Sequence, residues 1–250
     1  MITRKNAEQL ALMRRAGEVV AEMHEVCIRA AVPGASTLDV DAAAREVLAK
    51  RGARSNFLGY HGFPAVVCTS PNDVIVHGIP SDSVVLRDGD ILSIDCGAII
   101  EGWHADAAVT VPIGDIDAES WELINVTRRS LELAIEQVLQ GNRLGDIGAA
   151  VEGIAEEHGF TVVREYVGHG IGTAMHEEPQ VPNYGPAGRG LKLKEGMVLA
   201  IEPMVNAGTA ETQVLDDGWT VVTRDRRRSA HFEHTIAVTE HGPEVLTLPG

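Results

Sequence analysis

The chain contains the stretch Leu86-Arg-Asp-Gly-Asp-Ile-Leu-Ser-Ile-Asp95, and it contains a second copy. At an offset of 107 residues, the second copy reads Leu193-Lys-Glu-Gly-Met-Val-Leu-Ala-Ile-Glu202 and matches the first in residue type at most positions. Each copy is a polar turn followed by an apolar run of strand length that ends on a carboxylate. Burying an unpaired carboxylate costs several kcal/mol unless a cation lies nearby. The two strand ends therefore predict a cation site shared by two related halves of the chain.

The same duplication organises the whole chain, in which two helices are followed by a sheet in each half. Helix starts are predicted at Asn6, at Ser36 or Thr37, and at Asp117 or Ser120, with a fourth helix between Gly141 and Gly159. The second half carries about 20 extra residues between Val205 and Ser229. We predict an α+β fold of one domain, residues 1–250, with pseudo-twofold-related halves of approximately 1–115 and 116–250 around antiparallel strands.

The composition is that of an ordinary globular protein, with 250 residues, 44% hydrophobic and 23% charged, which is enough to bury a core. The formal net charge of -15 disfavours binding to nucleic acid or to anionic membranes through bulk electrostatics. The sequence contains no apolar stretch typical of a transmembrane helix or signal peptide, so we predict a cytoplasmic protein. Its cysteines, Cys27, Cys68 and Cys96, form no CxxC pair and are expected to be reduced.

Five residues drawn from both halves have the chemistry of a two-metal site. Asp95 and Asp106 flank a glycine-rich bend, and we expect them roughly opposite each other on one face of a hairpin. The second half supplies Glu202, Glu233 and His169, and the glycines beside His169 leave its imidazole unobstructed. The four carboxylates balance the charge of two divalent cations, which can hold a bridging hydroxide with a lowered pKa. Such oxygen-rich ligands suit Mn, Fe, Co or Zn, and the ligand types alone do not identify the metal.

Several motifs resemble those of the type I methionine aminopeptidases of the short bacterial form, over nearly the whole chain. These motifs are Leu58-Gly-Tyr-His-Gly-Phe-Pro64, Asn72-Asp-Val-Ile-Val-His-Gly-Ile-Pro80, Ile94-Asp-Cys-Gly97, Gly168-His-Gly-Ile-Gly172, Met175-His-Glu-Glu-Pro179, Ile201-Glu-Pro-Met204 and Glu233-His-Thr235. The resemblance implies the pita-bread fold, whose two halves have the pseudo-symmetry of the repeat. It also implies that the metal ligands are Asp95, Asp106, His169, Glu202 and Glu233.

The resemblance further implies catalytic roles for two histidines outside the ligand set. His77 corresponds to a residue that contacts the substrate near its scissile peptide. His176 corresponds to a histidine that hydrogen-bonds the scissile carbonyl, and such a donor contributes roughly 3 kcal/mol of transition-state stabilisation. Glu202 is expected to bind metal and also to move the proton from the attacking water to the leaving amine, whereas Asp95 is expected only to bind metal.

An aromatic cluster predicts the substrate pocket. Phe57, Tyr60 and Phe63 lie close together in a chain with only 4% aromatic residues, and either core packing or a pocket wall would explain them. By resemblance, the residues around a methionine side chain are Phe57, Tyr60, His61, Phe63, Cys68, Met175 and Trp219. Phe57 departs from the family, in which a small residue such as cysteine is frequent, and this departure affects the shape of the pocket rather than the class of substrate.

The resemblance implies an enzyme that removes the initiator methionine from nascent proteins when the second residue is small and uncharged, through metal-activated attack of water on the peptide carbonyl. A prolidase or aminopeptidase P is the alternative enzyme, although such relatives usually carry an additional N-terminal domain. The other alternative is a pita-bread binding protein without catalysis. Loss of metal ligands is expected in such a protein, whereas this chain keeps all five.

The basic run Arg224-Asp-Arg-Arg-Arg228 raises a separate hypothesis about partners. It lies in the extra segment of an otherwise acidic protein, where it could be a solvated loop or a docking patch. The expected substrates are nascent polypeptide N-termini, so the run could contact ribosomal RNA transiently where these chains emerge. We otherwise expect a monomer that binds neither DNA nor membranes.

Overall fold

The computed structural model describes residues 2–250. Its helices are α1 (Ala7–Ala30), α2 (Thr37–Arg51), α3 (Ala118–Glu136) and α4 (Leu144–Glu157). Asn6 and Ser36 begin α1 and α2 with capping boxes, and the Asp117 side chain caps α3, so these predicted helix starts are confirmed. Among residues 2–250, no helix combines the length and the apolar character needed to cross a membrane.

The strands form four antiparallel sheets. They are β1 (Arg54–Ser55), β2 (Val67–Pro71), β3 (Val74–Val76), β4 (Ile91–Ile100), β5 (Trp103–Pro112), β6 (Thr161–Val162), β7 (Gly168–Gly170), β8 (Glu177–Val181), β9 (Val198–Ile201), β10 (Met204–Asn206), β11 (Thr212–Val214), β12 (Val221–Thr223), β13 (Ser229–His231), β14 (His234–Thr239) and β15 (Gly242–Val245). In one sheet β4 pairs with β1, β2 and β5, and the largest sheet has the order β15-β14-β9-β7-β8. Two smaller sheets have the orders β13-β10-β6 and β11-β12-β3. The predicted α+β class is confirmed.

Each half of the chain packs its own pair of helices against its own strands. Helix α1 packs on β4 and β5, and α2 packs on α1 and β2, around a buried cluster that includes Leu92; α3 and α4 form the corresponding cluster around Ile147. Helix α4 approaches the chain at Tyr184 so closely that a Cβ on Gly148 would lie 2.4 Å from the Tyr184 carbonyl oxygen. Glycine therefore permits this packing, although it weakens the helix itself.

Strands β5 and β14 join the two halves. The Thr235 hydroxyl accepts a hydrogen bond from the Asp106 N–H (2.9 Å) and donates one to the Asp106 carbonyl (2.8 Å). Further along, the Thr110 hydroxyl makes the same pair of hydrogen bonds with the backbone of His231. An antiparallel backbone bridge lies between these two contacts. The halves are thus held together by backbone groups and by two hydroxyl groups that satisfy buried backbone donors and acceptors.

The extra segment predicted between Val205 and Ser229 contains β11 and β12. These strands pair with each other, and β12 also pairs with β3 of the first half. The turn between them carries Trp219, whose backbone N–H donates to the Asp217 side chain. The segment therefore brings an aromatic residue from the second half to the edge of the first.

Candidate active site

One cavity brings together nearly all the residues selected from the sequence. It is lined by Phe57, Tyr60, Phe63, Cys68, His77, Asp95, Asp106, His169, Met175, His176, Glu202, Trp219 and Glu233. His61 does not line this cavity; it is exposed, and its ring contacts the ring of Tyr60 at 4.5 Å between centroids. The cavity therefore joins the predicted metal ligands to the predicted aromatic pocket.

Strands β4 and β5 present two acids on one face. Asp95 pairs with Ala108 and Asp106 pairs with Gly97, so the two acids are diagonal neighbours. The predicted shared face is confirmed, but the predicted opposition is replaced by this diagonal arrangement. The hairpin turns at Glu101-Gly102, and this position of the turn fixes the register of β4 against β5. In that register, Asp106 lies two residues away from the partner of Asp95.

The two acids from the second half lie at breaks between consecutive strands. Glu202 follows β9 and precedes β10, and Glu233 lies between β13 and β14. The Asn183 side chain donates to the Glu202 carbonyl (2.9 Å), and Glu233 exchanges two backbone hydrogen bonds with Ala108 of β5. These contacts fix the backbone at both positions, and both carboxylates line the cavity.

Three of the predicted metal ligands already have the spacing of a cation site. Asp106, His169 and Glu233 each offer a ligand atom, and these atoms lie within 4.8 Å of one another. The Nε2 atom of His169 also lies 3.5 Å from Oε1 of Glu202. The Nδ1 atom of His169 donates to the Gly170 carbonyl (2.9 Å), which leaves Nε2 unprotonated in the neutral ring. Burial, followed by the influence of His176, lowers the pKa of His169 to about 4, so the ring is neutral at pH 7.

The carboxylates of the cavity are poorly compensated by protein groups. Burial raises the pKa of Asp95 from 3.8 to about 7. Burial and the neighbouring carboxylates raise the pKa of Asp106, Glu202 and Glu233 well above their usual values. Within residues 2–250, one buried oxygen each of Asp95, Asp106 and Glu233 has no hydrogen-bond partner. Buried acids of this kind are costly unless cations balance them, so the donor set fits divalent metal ions.

His77 occupies a strained position at the end of β3. Its φ angle is +61°, a conformation that costs a non-glycine residue on the order of 1 kcal/mol. A Cβ on the next residue, Gly78, would lie 2.1 Å from a carbonyl oxygen of β2, so the loop approaches that strand closely. The His77 ring packs edge-on against Trp219 and Tyr166, with centroids 6.1 and 5.8 Å away. Burial, then the influence of His176, lowers the pKa of His77 to about 4, so this imidazole is neutral at pH 7.

His176 lies directly before β8, between the acids and the aromatic residues. Its Nδ1 atom lies 2.8 Å from the Tyr60 hydroxyl, and its ring is 4.3 Å from the His169 ring between centroids. Burial, followed by the influence of His61, lowers the pKa of His176. When the Tyr60 hydroxyl donates to Nδ1, the single proton of the neutral ring lies on Nε2, which can then donate to a substrate oxygen.

The aromatic part of the cavity is a compact apolar cluster. Its buried members include Phe57, Phe63, Cys68 and Met175, with Tyr60 and Trp219 packed against them. Phe63 makes edge-to-face contacts with Trp219 at 5.1 Å and with Phe57 at 6.5 Å. Cys68 of β2 pairs with Asp95 of β4, so the apolar cluster adjoins the acids. An apolar pocket beside a few convergent polar groups is typical of a small-ligand site.

Some residues that position the site were missed in the sequence. His231 is buried, and its Nε2 atom lies 3.9 Å from Oε2 of Glu202. Thr235 holds the backbone of Asp106 through its hydroxyl, and the Asn56 side chain donates to the carbonyl that precedes Asp106. Thr235 could have been found, because it belongs to the Glu233-His-Thr motif. For His231 and Asn56 the sequence offers no periodic or motif signal.

The basic run Arg224–Arg228 is largely neutralised within the protein. Its arginines pair with acids as Arg224–Glu211, Arg226–Asp73, Arg227–Glu119 and Arg228–Asp117. The partners lie in the extra segment itself, before β3 and at the start of α3. These pairs therefore attach the extra segment to both halves of the fold.

Comparisons with known proteins agree with this geometry. The model of metallopeptidase family M24 matches residues 11–240, and this is the class of protein that the fold and the site define. Over 248 residues the chain is 50% identical to a methionine aminopeptidase of Clostridium acetobutylicum, covering 99% of each chain. It is 45% identical to a methionine aminopeptidase of Escherichia coli, covering 99% of this chain and 94% of that protein. The chain belongs to the methionine aminopeptidases of metallopeptidase family M24.

Solved structures lead to the same family and confirm the predicted pita-bread fold. The crystal structure of methionine aminopeptidase from Thermotoga maritima matches with a TM-score of 0.97 at 45% identity, covering 99% of this chain and 100% of that one. A prolidase from Pyrococcus furiosus matches with a TM-score of 0.78 at 22% identity, and this chain covers 65% of its length. The prolidase shares the fold alone, so the alternative of an X-Pro peptidase is not favoured.

Proposed function

We propose that this protein removes the N-terminal methionine from nascent proteins whose second residue is small and uncharged. The observation that carries the proposal is the single cavity in which an apolar aromatic pocket adjoins buried, uncompensated acids. The methionine side chain of a substrate suits the pocket, since its thioether makes favourable contacts with aromatic rings and sulfur atoms. The 50% identity to a methionine aminopeptidase over the length of the chain supports the same activity.

The cofactor that the site fits is a pair of divalent metal ions, Co, Mn, Fe or Zn, which would be held by Asp95, Asp106, His169, Glu202 and Glu233. In support, three of these residues offer ligand atoms within 4.8 Å of one another, and three of the acids have a buried oxygen that lacks a protein partner. Two divalent ions would balance the four carboxylates of the set. When bound, such ions supply Lewis acidity that activates water for attack on a peptide carbonyl.

Side chains of the protein carry out proton transfer, stabilisation of the oxyanion and positioning of the substrate. Glu202 takes the proton of the attacking water and returns it to the leaving amine, a role supported by its place in the cavity, with Oε1 3.5 Å from Nε2 of His169. His176 donates from Nε2 to the developing oxyanion, and the Tyr60 hydroxyl orients its ring. His77 contacts the substrate near the scissile peptide as a neutral donor, while Asp95 serves only to hold metal.

Methionine binds among the aromatic residues. The residues that would contact it are Phe57, Tyr60, His61, Phe63, Cys68, Met175 and Trp219. In support, all of these except His61 line the cavity, whereas His61 contacts the outer residue Tyr60. Phe57, the position that departs from the family, lines the cavity and packs edge-to-face on Phe63, with 6.5 Å between the ring centroids.

The activity is tested with a small peptide panel on metal-loaded protein. We expect methionine release from Met-Ala-Ser, much less from Met-Leu-Ser, and none from an X-Pro peptide. Chelation should abolish the release, and returning Mn²⁺ or Co²⁺ should restore it. Metal-loaded protein that leaves Met-Ala-Ser intact would refute the proposal, and cleavage of the X-Pro peptide alone would favour the prolidase alternative.

The proposed partners are nascent polypeptide N-termini, with a transient ribosome contact through Arg224–Arg228. Arg224 and Arg226 keep 68% and 58% of their side chains exposed, which leaves them accessible despite their ion pairs. Neutralising the four arginines should reduce co-sedimentation with ribosomes at low salt. The matched control neutralises four exposed basic residues elsewhere, Arg143, Arg189, Lys192 and Lys194. Loss of co-sedimentation in the control alone would place the contact outside the arginine run.

We further propose that residues 1–250 act as a single catalytic domain and as a monomer. In support, β5 of the first half bonds to residues beside β14 of the second half, and acids from both halves line one cavity. A single cooperative unfolding transition and a monomer mass in sedimentation equilibrium are the expected results. Two separate transitions would argue for independent halves.

A further inference from the structure

A largely buried ion pair connects the N-terminal segment to the strand that begins after His176. Lys5 Nζ lies 2.8 Å from Oε2 of Glu177, and the two side chains are 4% and 12% exposed. For comparison, the ion pair of Arg14 with Glu244 joins α1 to β15 with side chains 42% and 35% exposed. Desolvated charge pairs hold their geometry much more strongly than exposed pairs, because breaking them leaves a buried charge without a partner.

The Glu177 carboxylate bridges two parts of the chain with its two oxygens. Oε2 accepts from Lys5 and also from the Thr3 hydroxyl (2.6 Å). Oε1 accepts from the backbone N–H groups of Thr173 (2.8 Å) and Ala174 (3.4 Å). One oxygen therefore binds the N-terminal segment, and the other binds the loop that precedes β8.

That loop, residues 171–176, carries His176. Strands β7 and β8 close it by pairing Gly170 with Glu177. Within the loop, Gly172 lies against the ion pair, since a Cβ there would approach Glu177 Oε1 and Lys5 Cε to 2.6 Å each. The ion pair thus packs directly on the backbone of the loop.

Lys5 is itself fixed to the core of the second half. Its backbone N–H donates to the Gly196 carbonyl (2.6 Å), and the Gly196 N–H donates to the Val238 carbonyl of β14 (2.9 Å). The connection therefore runs from a central strand, through Lys5 and Glu177, to the loop of His176.

We propose that Lys5 is a positioning residue that holds His176 in place through Glu177. The inference rests on the proposed function, because it assumes that the His176 imidazole acts on the scissile carbonyl. Without the Lys5 cation, the largely buried carboxylate of Glu177 has no charged partner, and turning towards water becomes favourable. The loop amides then lose their acceptor. A displacement of about 1 Å at a catalytic group can cost about a hundredfold in rate, so the loop need move only slightly.

The kinetic test uses Lys5→Met, which keeps the length of the side chain and removes its charge. We expect a loss of kcat of about tenfold or more on Met-Ala-Ser, with a smaller change in KM. Arg14→Met, which breaks the exposed pair, should leave both constants unchanged. In the background of His176→Ala, adding Lys5→Met should cause no further loss of kcat, because both changes remove the same interaction. Equal losses in the two backgrounds would overturn the proposal.

A second measurement does not depend on activity. Hydrogen exchange of a peptide covering residues 171–177 should accelerate in Lys5→Met, while exchange across α4 stays as in the wild-type protein. Wild-type protein that releases no methionine would refute the proposed function, and the exchange data would still report whether Lys5 holds the loop. Unchanged exchange in folded Lys5→Met would overturn the proposed positioning. If Lys5→Met does not fold, Lys5→Gln also removes the cation while keeping a polar side chain, and it should show a loss of kcat and faster loop exchange in the same direction; wild-type values in that folded variant would also overturn the proposal.

Discussion

Replacing Glu177 by glutamine is expected to destabilise the protein by about 3 kcal/mol at pH 7. Burial alone would raise the pKa of Glu177, but hydrogen bonds from Lys5 and Thr3 outweigh burial and lower this pKa from 4.5 to about 2. A shift of this size corresponds to about 3 kcal/mol of preference for the charged form. The side chain is 12% exposed, so solvent screening removes little of this energy.

The destabilisation should become smaller in acid. Because the pKa is lower in the folded protein, the stabilisation by ionised Glu177 is fully present above pH 4.5 and is lost as the pH falls towards 2. Each pH unit within that window removes about 1.4 kcal/mol from the wild-type protein and nothing from the glutamine variant. At pH 3 the two proteins should therefore differ by about 1 kcal/mol.

Urea unfolding of metal-free protein, followed by tryptophan fluorescence at pH 7, 5 and 3.5, measures this difference. Chelator is present throughout, so metal binding does not contribute to the free energy of unfolding. The control is Glu244→Gln, which breaks the exposed pair with Arg14 and should cost less than about 1 kcal/mol at every pH. The reasoning is refuted if Glu177→Gln costs no more than the control, or if its cost is the same at pH 7 and pH 3.5.

Three further predictions concern the metal ligands, the helices and the chemistry. Asp106→Asn should raise the Tm of metal-free protein at pH 7, because it removes the charge of one of four neighbouring acids. The same variant should lose the rise in Tm that Mn²⁺ gives the wild-type protein, because a metal ligand is missing. Scanning fluorimetry with and without Mn²⁺ measures both effects. Gly17→Ala should lower the free energy of unfolding in urea by about 1–3 kcal/mol, since its Cβ would lie 1.9 Å from the Leu246 carbonyl oxygen. Gly153→Ala places its Cβ in open space and should raise the free energy of unfolding by about 0.5–1 kcal/mol. His176→Ala should lower kcat by about 100- to 1,000-fold with little change in KM, and a change confined to KM would contradict its role at the carbonyl.

Much of the fold and of the site could be predicted because the relevant signals are local or repeated. Capping residues such as Asn6 and Ser36 act within one helical turn, so their meaning does not depend on distant contacts. The acids at the ends of the repeated stretch, Asp95 and Glu202, stood out because an apolar strand has no structural need for them. Both line the cavity, as the repeat predicted.

Other features depend on residues that are far apart in the chain, and no local pattern encodes them. The diagonal placement of Asp95 and Asp106 follows from the register of the hairpin, which a residue count around the bend did not give. The arginines of the run Arg224–Arg228 looked like free charge in the sequence, yet acids from elsewhere in the fold pair with most of them. Burial and pairing are properties of the folded chain, and composition does not reveal them.

By itself, the sequence determined the two-half α+β plan, the helix boundaries and the set of metal-binding candidates, because capping, periodicity and duplication are read from neighbouring positions. The tertiary structure alone decided which groups support that set. Lys5 and Glu177 are 172 residues apart, and their ion pair exists because β7, β8 and the N-terminal segment meet. His231 likewise reaches Glu202 only across paired strands. Such contacts arise from the chain topology, because the separation of two residues in the sequence does not determine their distance in the folded protein.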